Sequence, residues 1–210
     1  NFEWSISDDG KLTVTGSCAG KLYTEEKNSN GETLIIYPWD EWDEYRNKRS
    51  KIKSAYINVT GLTDMREMFY GCIYLTSVDL SDLDTSNVTD MSHMFSYCYK
   101  LSSVDVSSFD TSNVTSMRYM FEDCSELRSV DVSGFDTSNV TDMNSMFRFC
   151  SNLSRVDVSS FDTSNVMDMR YMFTRSENLT EIIVGSGWDT SNANTIGMFS
   201  GCGTDHVTVK

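Results

Sequence analysis

A period of 26 residues runs through most of this chain and restricts it to a small set of folds. One hydrophobic position of the recurring phrase is occupied in successive copies by Val78, Val104, Val130, Val156 and Ile182. The phrase reads L-x-x-V-D-[LV]-S-x-[LF]-D-T-S-N-V-x-x-M-x-x-M-F-x-x-C. A repeat of this length predicts structural units that stack on one another, each contacting only its neighbours.

Each unit is predicted to contain a strand, a turn and a short helix. The alternation of Val104 and Val106 with polar residues predicts a strand, and the D-T-S-N segment is typical of a turn. A one-sided helix is predicted from apolar spacing at i, i+3, i+4, i+7 and i+10, occupied in one unit by Met117, Met120, Phe121, Cys124 and Leu127. Thr115 stands where it would cap that helix.

The first 50 residues lack the repeat and are predicted to be an N-terminal cap. Apolar alternation before and after Asp8-Asp9-Gly10 predicts a β-hairpin. An aromatic cluster follows, with Trp39, Trp42 and Tyr45. Because a stack of repeats exposes an apolar end, such a segment suits a cap. We therefore expect a cap over residues 1–50 and about six coils over residues 51–210, in one continuous domain.

Charge and hydropathy exclude several kinds of partner. The formal charge of −14 and the pI near 4.4 argue against nucleic acid and anionic lipid as partners. No stretch approaches the 18 apolar residues of a membrane span, so no membrane insertion is expected in this segment. The strand-like ending at Val207–Lys210 suggests that the natural protein continues.

The cysteines follow the repeat, which argues against a disulfide framework. Five of them share one phase, and Ser176 fills the missing position: Cys72, Cys98, Cys124, Cys150 and Cys202. We expect buried free thiols that act as small hydrophobic residues. Disulfides between coils and zinc binding are the weaker alternatives, and the thiol redox state stays open. No cofactor or metal site is predicted.

The motifs resemble those of a known family. The N-V-T-x-M-x-x-M-F phrase, the leader from Trp4 to Ser17 and the later Pro38-Trp39 are similar to the BspA-type bacterial leucine-rich repeat proteins, in their 26-residue variety. The resemblance implies a right-handed α/β solenoid with a parallel sheet on one face and short helices on the other. It also implies an extracellular or surface-anchored bacterial protein with a role in adhesion. No catalytic residues belong to the family, so none are expected here.

Two sets of residues are candidates for binding. The first is a column of carboxylates on the open face of the sheet: Asp79, Asp105, Asp131 and Asp157. The alternative interpretation is a solvated face that keeps the sheet from pairing at its edges. The second set is the tyrosines in the segment after the turn, of which we select Tyr97, Tyr119 and Tyr171. Packing between neighbouring coils is the alternative for these. Whether calcium binds the aspartate columns stays open.

These observations predict a non-enzymatic binding module. His93 and His206 are the only histidines, and neither lies in a triad or zinc motif. We expect a protein partner on a host, a matrix or another cell. The alternatives are a spacer that holds a distal domain away from the cell wall, which predicts featureless surfaces, and a glycan-binding module, which predicts exposed rings in a groove.

Overall fold

The computed structural model of the protein describes residues 1–31, 33–40, 42–43 and 46–210, which form short strands joined by turns. The strands are β1 (Phe2–Ile6), β2 (Lys11–Lys21), β3 (Thr24–Lys27), β4 (Thr33–Ile36), β5 (Trp42–Asp43), β6 (Arg46–Asn47), β7 (Ser54–Asp64), β8 (Ser77–Asp79), β9 (Ser103–Val104), β10 (Ser129–Val130), β11 (Arg155–Val158), β12 (Glu181–Val184) and β13 (Thr208–Val209). Two 3₁₀ turns span Pro38–Asp40 and Lys48–Lys51. The described residues contain no α-helix.

Strands of successive units pair in parallel. In the β9–β10 pair Val104 lies beside Val130, and in the β11–β12 pair Val156 lies beside Ile182. A second parallel ladder consists of single bridges that join, in order, Asp64, Asp90, Ser116, Asp142, Asp168 and Asn194. The 26-residue period is therefore the step along the chain from one coil to the same position in the next coil.

The parallel sheet is divided, whereas a single sheet was expected. Its strands form three hydrogen-bonded groups, β1-β2-β7-β8, β9-β10 and β11-β12-β13. From β8 onward each strand has two to four residues. Asp105 shows why: its carboxylate accepts the backbone N–H of Ser107 at 3.0 Å and starts a turn directly after the strand. Each strand therefore ends early, and few of its residues can pair with the neighbouring strand.

The core runs through all coils as columns of identical side chains. One column consists of phenylalanine rings whose neighbouring centroids are 5.5 to 5.9 Å apart, with planes within 10° of parallel: Phe69, Phe95, Phe121, Phe147, Phe173 and Phe199. Methionines at 117, 120 and the equivalent positions are fully buried beside them. Methionine, an adaptable apolar side chain, therefore fills the core beside the phenylalanine rings.

The six cysteines are free thiols, four of them fully buried. The thiols of Cys98, Cys124 and Cys150 each contact a backbone carbonyl of the preceding coil at 3.2 Å. Ser176 makes the same contact with the carbonyl of Phe147 at 2.6 Å. The column is therefore a set of small side chains that bridge adjacent coils.

The predicted helix is wrong. Residues 117–124 form two consecutive four-residue turns. The first is closed by the N–H of Met120 on the carbonyl of Met117, and the second by the N–H of Cys124 on the carbonyl of Phe121, both at 3.2 Å. Two such turns bury their first and fourth residues, which gives the same i, i+3, i+4, i+7 spacing as a helix. The apolar pattern therefore does not distinguish the two structures.

Hydrogen bonding between coils is the physical reason for turns instead of a helix. The N–H groups of Tyr119 and Phe121 donate to carbonyls of the next coil, those of Asn144 at 2.8 Å and Met146 at 2.9 Å. An α-helix would use these groups for carbonyls four residues earlier in its own chain. Thr115 likewise does not cap a helix, because its hydroxyl donates to the carbonyl of Thr89 in the preceding coil at 3.1 Å.

The D-T-S-N turn also bonds to the next coil. Thr111 is 1% exposed; its hydroxyl donates to the carbonyl of Asp136 at 3.0 Å and accepts the N–H of the same residue at 2.8 Å. The same two-way contact occurs at Thr85, Thr137 and Thr163. The buried threonine therefore stabilises the turn across the coil boundary.

The N-terminal residues pack onto the first coil. β1 and β2 form an antiparallel hairpin, and β2 pairs in parallel with β7, so that Val14 lies beside Ile57. Trp39 is fully buried in the same core. Tyr45 and the side chain of Trp42, which we assigned to the same aromatic cluster, lie outside the described residues.

A buried arginine joins this N-terminal segment to the first pair of turns. Arg49 forms an ion pair with Asp40. Its guanidinium also donates to the carbonyls of Glu67 at 2.7 Å and Tyr70 at 2.6 Å. Because these carbonyls belong to the first coil, one side chain fixes the N-terminal segment to the repeats.

Candidate functional site

The aspartates of the sheet lie in or directly after the short strands, where Asp79, Asp105 and Asp131 are exposed and Asp157 is half-buried. Each carboxylate accepts the backbone N–H of the serine two residues later, at 3.2, 3.0, 3.0 and 3.1 Å for Asp79, Asp105, Asp131 and Asp157. These serine hydrogen bonds hold the pKa of each carboxyl below its ordinary value. The column is therefore charged, and every member already has a structural role in a turn.

Among the described residues, ion pairs to this column form at one end of the stack, and the charge of Lys11 acts on Asp79 at the other end. Arg155 lies 3.3 Å and Lys210 3.6 Å from the carboxylate of Asp157. Within the described residues no three His, Cys, Asp or Glu side chains converge in a way that would hold a metal ion. We refer to this surface as the strand face.

A second surface, which we call the turn face, is formed by the paired turns and has an unusual backbone. In each coil the third residue of each turn has a positive φ, between 56° and 70°. These residues are Glu67, His93, Tyr119, Ser145, Tyr171 and Gly197 in the first turn, and Gly71, Tyr97, Asp123, Phe149, Arg175 and Gly201 in the second. A positive φ at the third residue is that of a type II turn, which normally has glycine there.

Only three of these twelve positions are glycine. A residue with a Cβ in the left-handed region costs roughly 1–2 kcal/mol. All nine non-glycine residues with positive φ in the described part of the chain lie in these two columns. The chain therefore presents side chains where the backbone alone would favour glycine.

Tyr97 and Tyr119 belong to one aromatic cluster on the turn face. Tyr119 stacks on His93, with centroids 4.5 Å apart and planes at 17°. Tyr70 lies edge-on to His93 at 6.0 Å and to Tyr97 at 5.4 Å. Tyr97 in turn lies edge-on to Tyr99 at 6.1 Å. The cluster spans three consecutive coils.

Tyr171 does not join the cluster. It lies two coils beyond Tyr119 in the same column, and its ring is 5.9 Å from the guanidinium of Arg148. The structure therefore brings together two of the three selected tyrosines.

A cleft of about 260 Å³ opens within the cluster. Its lining combines the rings with three charged groups, Arg118, Glu122 and Arg148. Glu122 is 4% exposed, accepts the hydroxyl of Ser96 at 3.1 Å and pairs with Arg148 at 3.3 Å. Burial raises the pKa of the Glu122 carboxyl, against the lowering effect of the Ser96 hydrogen bond and Arg148.

His93 is neutral at physiological pH. Burial, with a further contribution from the charge of Arg118, lowers its pKa to about 4. The imidazole therefore acts as a stacking surface between Tyr70 and Tyr119. Aromatic faces, guanidinium donors and one buried carboxylate are the groups that this cleft offers to a ligand.

The sequence reasoning missed Arg118 and His93 as members of the site. A signal for Arg118 was present, because Ser116 occupies a position that is aspartate in four other coils, at 64, 90, 142 and 168. No comparable signal marks His93, since five different residue types occupy the six positions of its column.

Larger hollows lie beside the N-terminal segment. One of about 530 Å³ is lined mainly by apolar residues, including Leu34, Ile36 and Tyr37, with Arg49 at its wall. The guanidinium of Arg49 already bonds to Asp40 and to two carbonyls. This hollow therefore lies along the junction between the N-terminal segment and the first coil.

Comparison with known proteins adds a family and a fold. The family described as "Mycoplasma protein of unknown function, DUF285" matches residues 43–132 and again residues 125–206. No curated protein matches the chain. The solved structures include a leucine-rich repeat protein of T. pallidum, which is 16% identical, covers 96% of this chain and 86% of its own, and superposes with a TM-score of 0.50. The expected leucine-rich-repeat-like fold is thus confirmed.

No helix in the described residues is both long and apolar enough to cross a bilayer.

Proposed function

Because the chain belongs to the DUF285 family and has a leucine-rich-repeat-like fold, we propose that it is a non-enzymatic module that binds another protein through its turn face. One observation carries the proposal. Side chains vary at the positive-φ positions from coil to coil, while the buried positions between them repeat Met, Met, Phe and Cys. Eleven of these twelve positions are half-buried or exposed, and Ser145 is the buried exception. Variation at accessible positions of a fixed backbone is what recognition of a particular partner requires.

The composition of the turn face supports a protein as the partner. Tyrosine and arginine are enriched at the centres of protein interfaces. Tyr70, Tyr99 and Tyr171 are between 37% and 39% exposed, and Arg118 is exposed beside them. These rings already contact one another or a cation, so their orientation is fixed before a partner binds.

The wider setting is also part of the proposal. The coils form a right-handed solenoid, residues 1–50 cap its first end, and the protein acts outside the cell or at the surface of a bacterium. Its resemblance to BspA-type repeats favours adhesion to a host protein, the matrix or another cell. The strand-face aspartates contribute less to binding, because their hydrogen bonds to serine already explain them.

Binding of the purified chain to an array of host matrix proteins and glycans, with and without calcium, tests the proposal. The turn-face variant carries Tyr97→Ala, Tyr119→Ser and Tyr171→Ser; serine occurs naturally in the column of the last two, at Ser145. The matched strand-face variant carries Asp105→Asn and Asp131→Asn.

We expect saturable binding to a protein on the array. The turn-face variant should bind this protein at least tenfold more weakly, and the strand-face variant should bind it with unchanged affinity. Equal binding by both variants would exclude the turn face. Binding only to glycans would favour the glycan-binding alternative, and the absence of any ligand would favour a spacer.

A further inference from the structure

Three coils have arginine at the same position of the first turn, and one of the three is not paired. Arg66 lies 3.0 Å from the carboxylate of Asp64, and Arg170 lies 2.5 Å from that of Asp168. In both coils the aspartate stands two residues before the arginine. In the coil of Arg118 the residue at this position is Ser116, which carries no charge.

Within the described residues, Arg118 has no carboxylate at ion-pair distance. Burial raises the pKa of the Asp142 and Glu122 carboxyls, and the charge of Arg118 acts against this rise from beyond ion-pair distance. Its guanidinium lies over the ring of Tyr119, 4.7 Å from the centroid. A stacked guanidinium keeps its N–H donors at the edge available for hydrogen bonds.

The free edge of Arg118 belongs to the cleft on the turn face. Arg148 lines the same cleft, and its guanidinium lies 4.8 Å from the ring centroid of Phe149. At about 260 Å³ the cleft is smaller than the roughly 300–1,000 Å³ typical of small-molecule pockets. Its size therefore suits a single side chain of a larger partner.

We infer that this cleft binds a carboxylate side chain from an acidic segment of the protein partner, with Arg118 as the anchor. The inference rests on the proposed function and names the chemistry of the ligand. A carboxylate matches the planar donors of a guanidinium and can form two parallel hydrogen bonds with it. The rings of Tyr70, Tyr97 and Tyr119 would pack against the neighbouring residues of the segment.

The overall charge of −14 does not prevent this contact. At physiological ionic strength charges separated by more than about 8 Å are largely screened. Within the cleft the carboxylate of Glu122 is paired with Arg148. The charges that act on Glu122 come from Arg148, Asp123 and Arg118, and none of them from the strand face. Local pairing therefore determines which group the cleft accepts.

The test follows the side-chain Nε–H signals of the arginines by NMR while acetyl-Glu-Tyr-Glu-amide is added. The glutamine counterpart of this peptide is the control ligand, and Arg66 and Arg170 are internal controls in the same sample. Ser116→Asp gives Arg118 the internal partner that the other two arginines have. Ser116→Asn is the matched control, because Asn194 holds this position in another coil.

We expect a saturable shift at Arg118 with the glutamate peptide, little change at Arg66 and Arg170, and no shift with the glutamine peptide. Ser116→Asp should weaken binding about fivefold or more, which corresponds to about 1 kcal/mol, and Ser116→Asn should not. Equal shifts at all three arginines, or unchanged binding by Ser116→Asp, would overturn the inference.

Two further arms separate this inference from the proposed function. Glucuronic acid replaces the peptide in the first arm, and stronger binding of this sugar acid would overturn the protein source of the carboxylate. In the second arm, the glutamate peptide competes with any protein ligand found on the array. A turn-face ligand that binds without involving Arg118 refutes the inference alone. If the glutamate peptide shifts the Arg118 signal specifically but no protein on the array binds the chain, the proposed protein-binding role alone is refuted.

Discussion

Thr111 provides a direct test of how the coils hold together. Replacement by valine keeps the shape of the side chain but removes the hydroxyl that both donates to and accepts from the backbone of Asp136. Thr111 is 1% exposed, so the two backbone groups of Asp136 would face an apolar methyl group across the coil boundary. We expect the variant to fold and to be less stable.

The size of the loss follows from these two contacts. A hydrogen bond within a protein contributes about 1 kcal/mol net, so losing both predicts a decrease of about 2 kcal/mol in the free energy of unfolding. For a chain of about this length, 1 kcal/mol shifts Tm by roughly 2–4 °C. The expected decrease in Tm is therefore roughly 4–8 °C.

Thr115→Val in the same coil is the matched control. The hydroxyl of Thr115 donates to the carbonyl of Thr89, but that carbonyl also accepts the N–H of Thr115 at 2.8 Å and keeps this partner. The change should stay within about 0.5 kcal/mol. Urea unfolding followed by tryptophan fluorescence and circular dichroism measures both variants. If Thr111→Val costs no more than Thr115→Val, the threonine contact does not stabilise the coil boundary.

Three further predictions concern titration, the N-terminal junction and the thiols. Since the pKa of His93 is lowered to about 4, this residue binds up to one more proton in the unfolded than in the folded chain between pH 4 and about 6.5. The contribution of His93 to stability should therefore fall by up to about 1.4 kcal/mol for each pH unit on acidification through this window. Urea unfolding of wild type and His93→Tyr should show this as a pH-dependent difference in the free energy of unfolding. A difference that stays constant across the window would contradict the lowered pKa. Arg49→Met removes one partner of a buried ion pair and should cost about 3–5 kcal/mol in urea unfolding, whereas Arg155→Met at an exposed pair should cost less than about 1 kcal/mol. Burial raises the pKa of the Cys72 thiol to about 12, so iodoacetamide at pH 8 should modify Cys72 only after denaturation; mass spectrometry that found it modified in the native protein would refute this burial.

The buried residues of a coil were predictable from the sequence, but the backbone that carries them was not. Met117, Met120, Phe121 and Cys124 are all fully buried, as their spacing indicated. The same spacing fits one helix or two successive turns, and propensities within one unit favour the helix. Hydrogen bonds between coils decide the outcome, and these involve residues about one repeat away, such as the carbonyl of Asn144 for the N–H of Tyr119.

The candidate site was predictable only in part for a related reason. Tyr97 and Tyr119 were recognised because aromatic residues at varying positions stand out within a repeat. Their contact through Tyr70 and His93 depends on the left-handed backbone at the third residue of each turn, which no residue preference signals when glycine is absent. The unpaired state of Arg118 could be inferred only by comparing its coil with two others, once the arginine–aspartate pairs of those coils were known.

The uniform backbone contacts between coils have a consequence for how such a chain changes its length. Gain or loss of one whole 26-residue unit would leave every remaining boundary with the same threonine, carbonyl and phenylalanine contacts. A gain or loss of another size has to be accommodated within a loop, as the extra residue before Asp189 is: Thr163 still contacts Asp189, and the rings of Phe173 and Phe199 still stack. Recombination between neighbouring units can therefore lengthen or shorten the protein in steps of one ring spacing, 5.5 to 5.9 Å, and each new copy brings its own set of turn-face side chains for independent change.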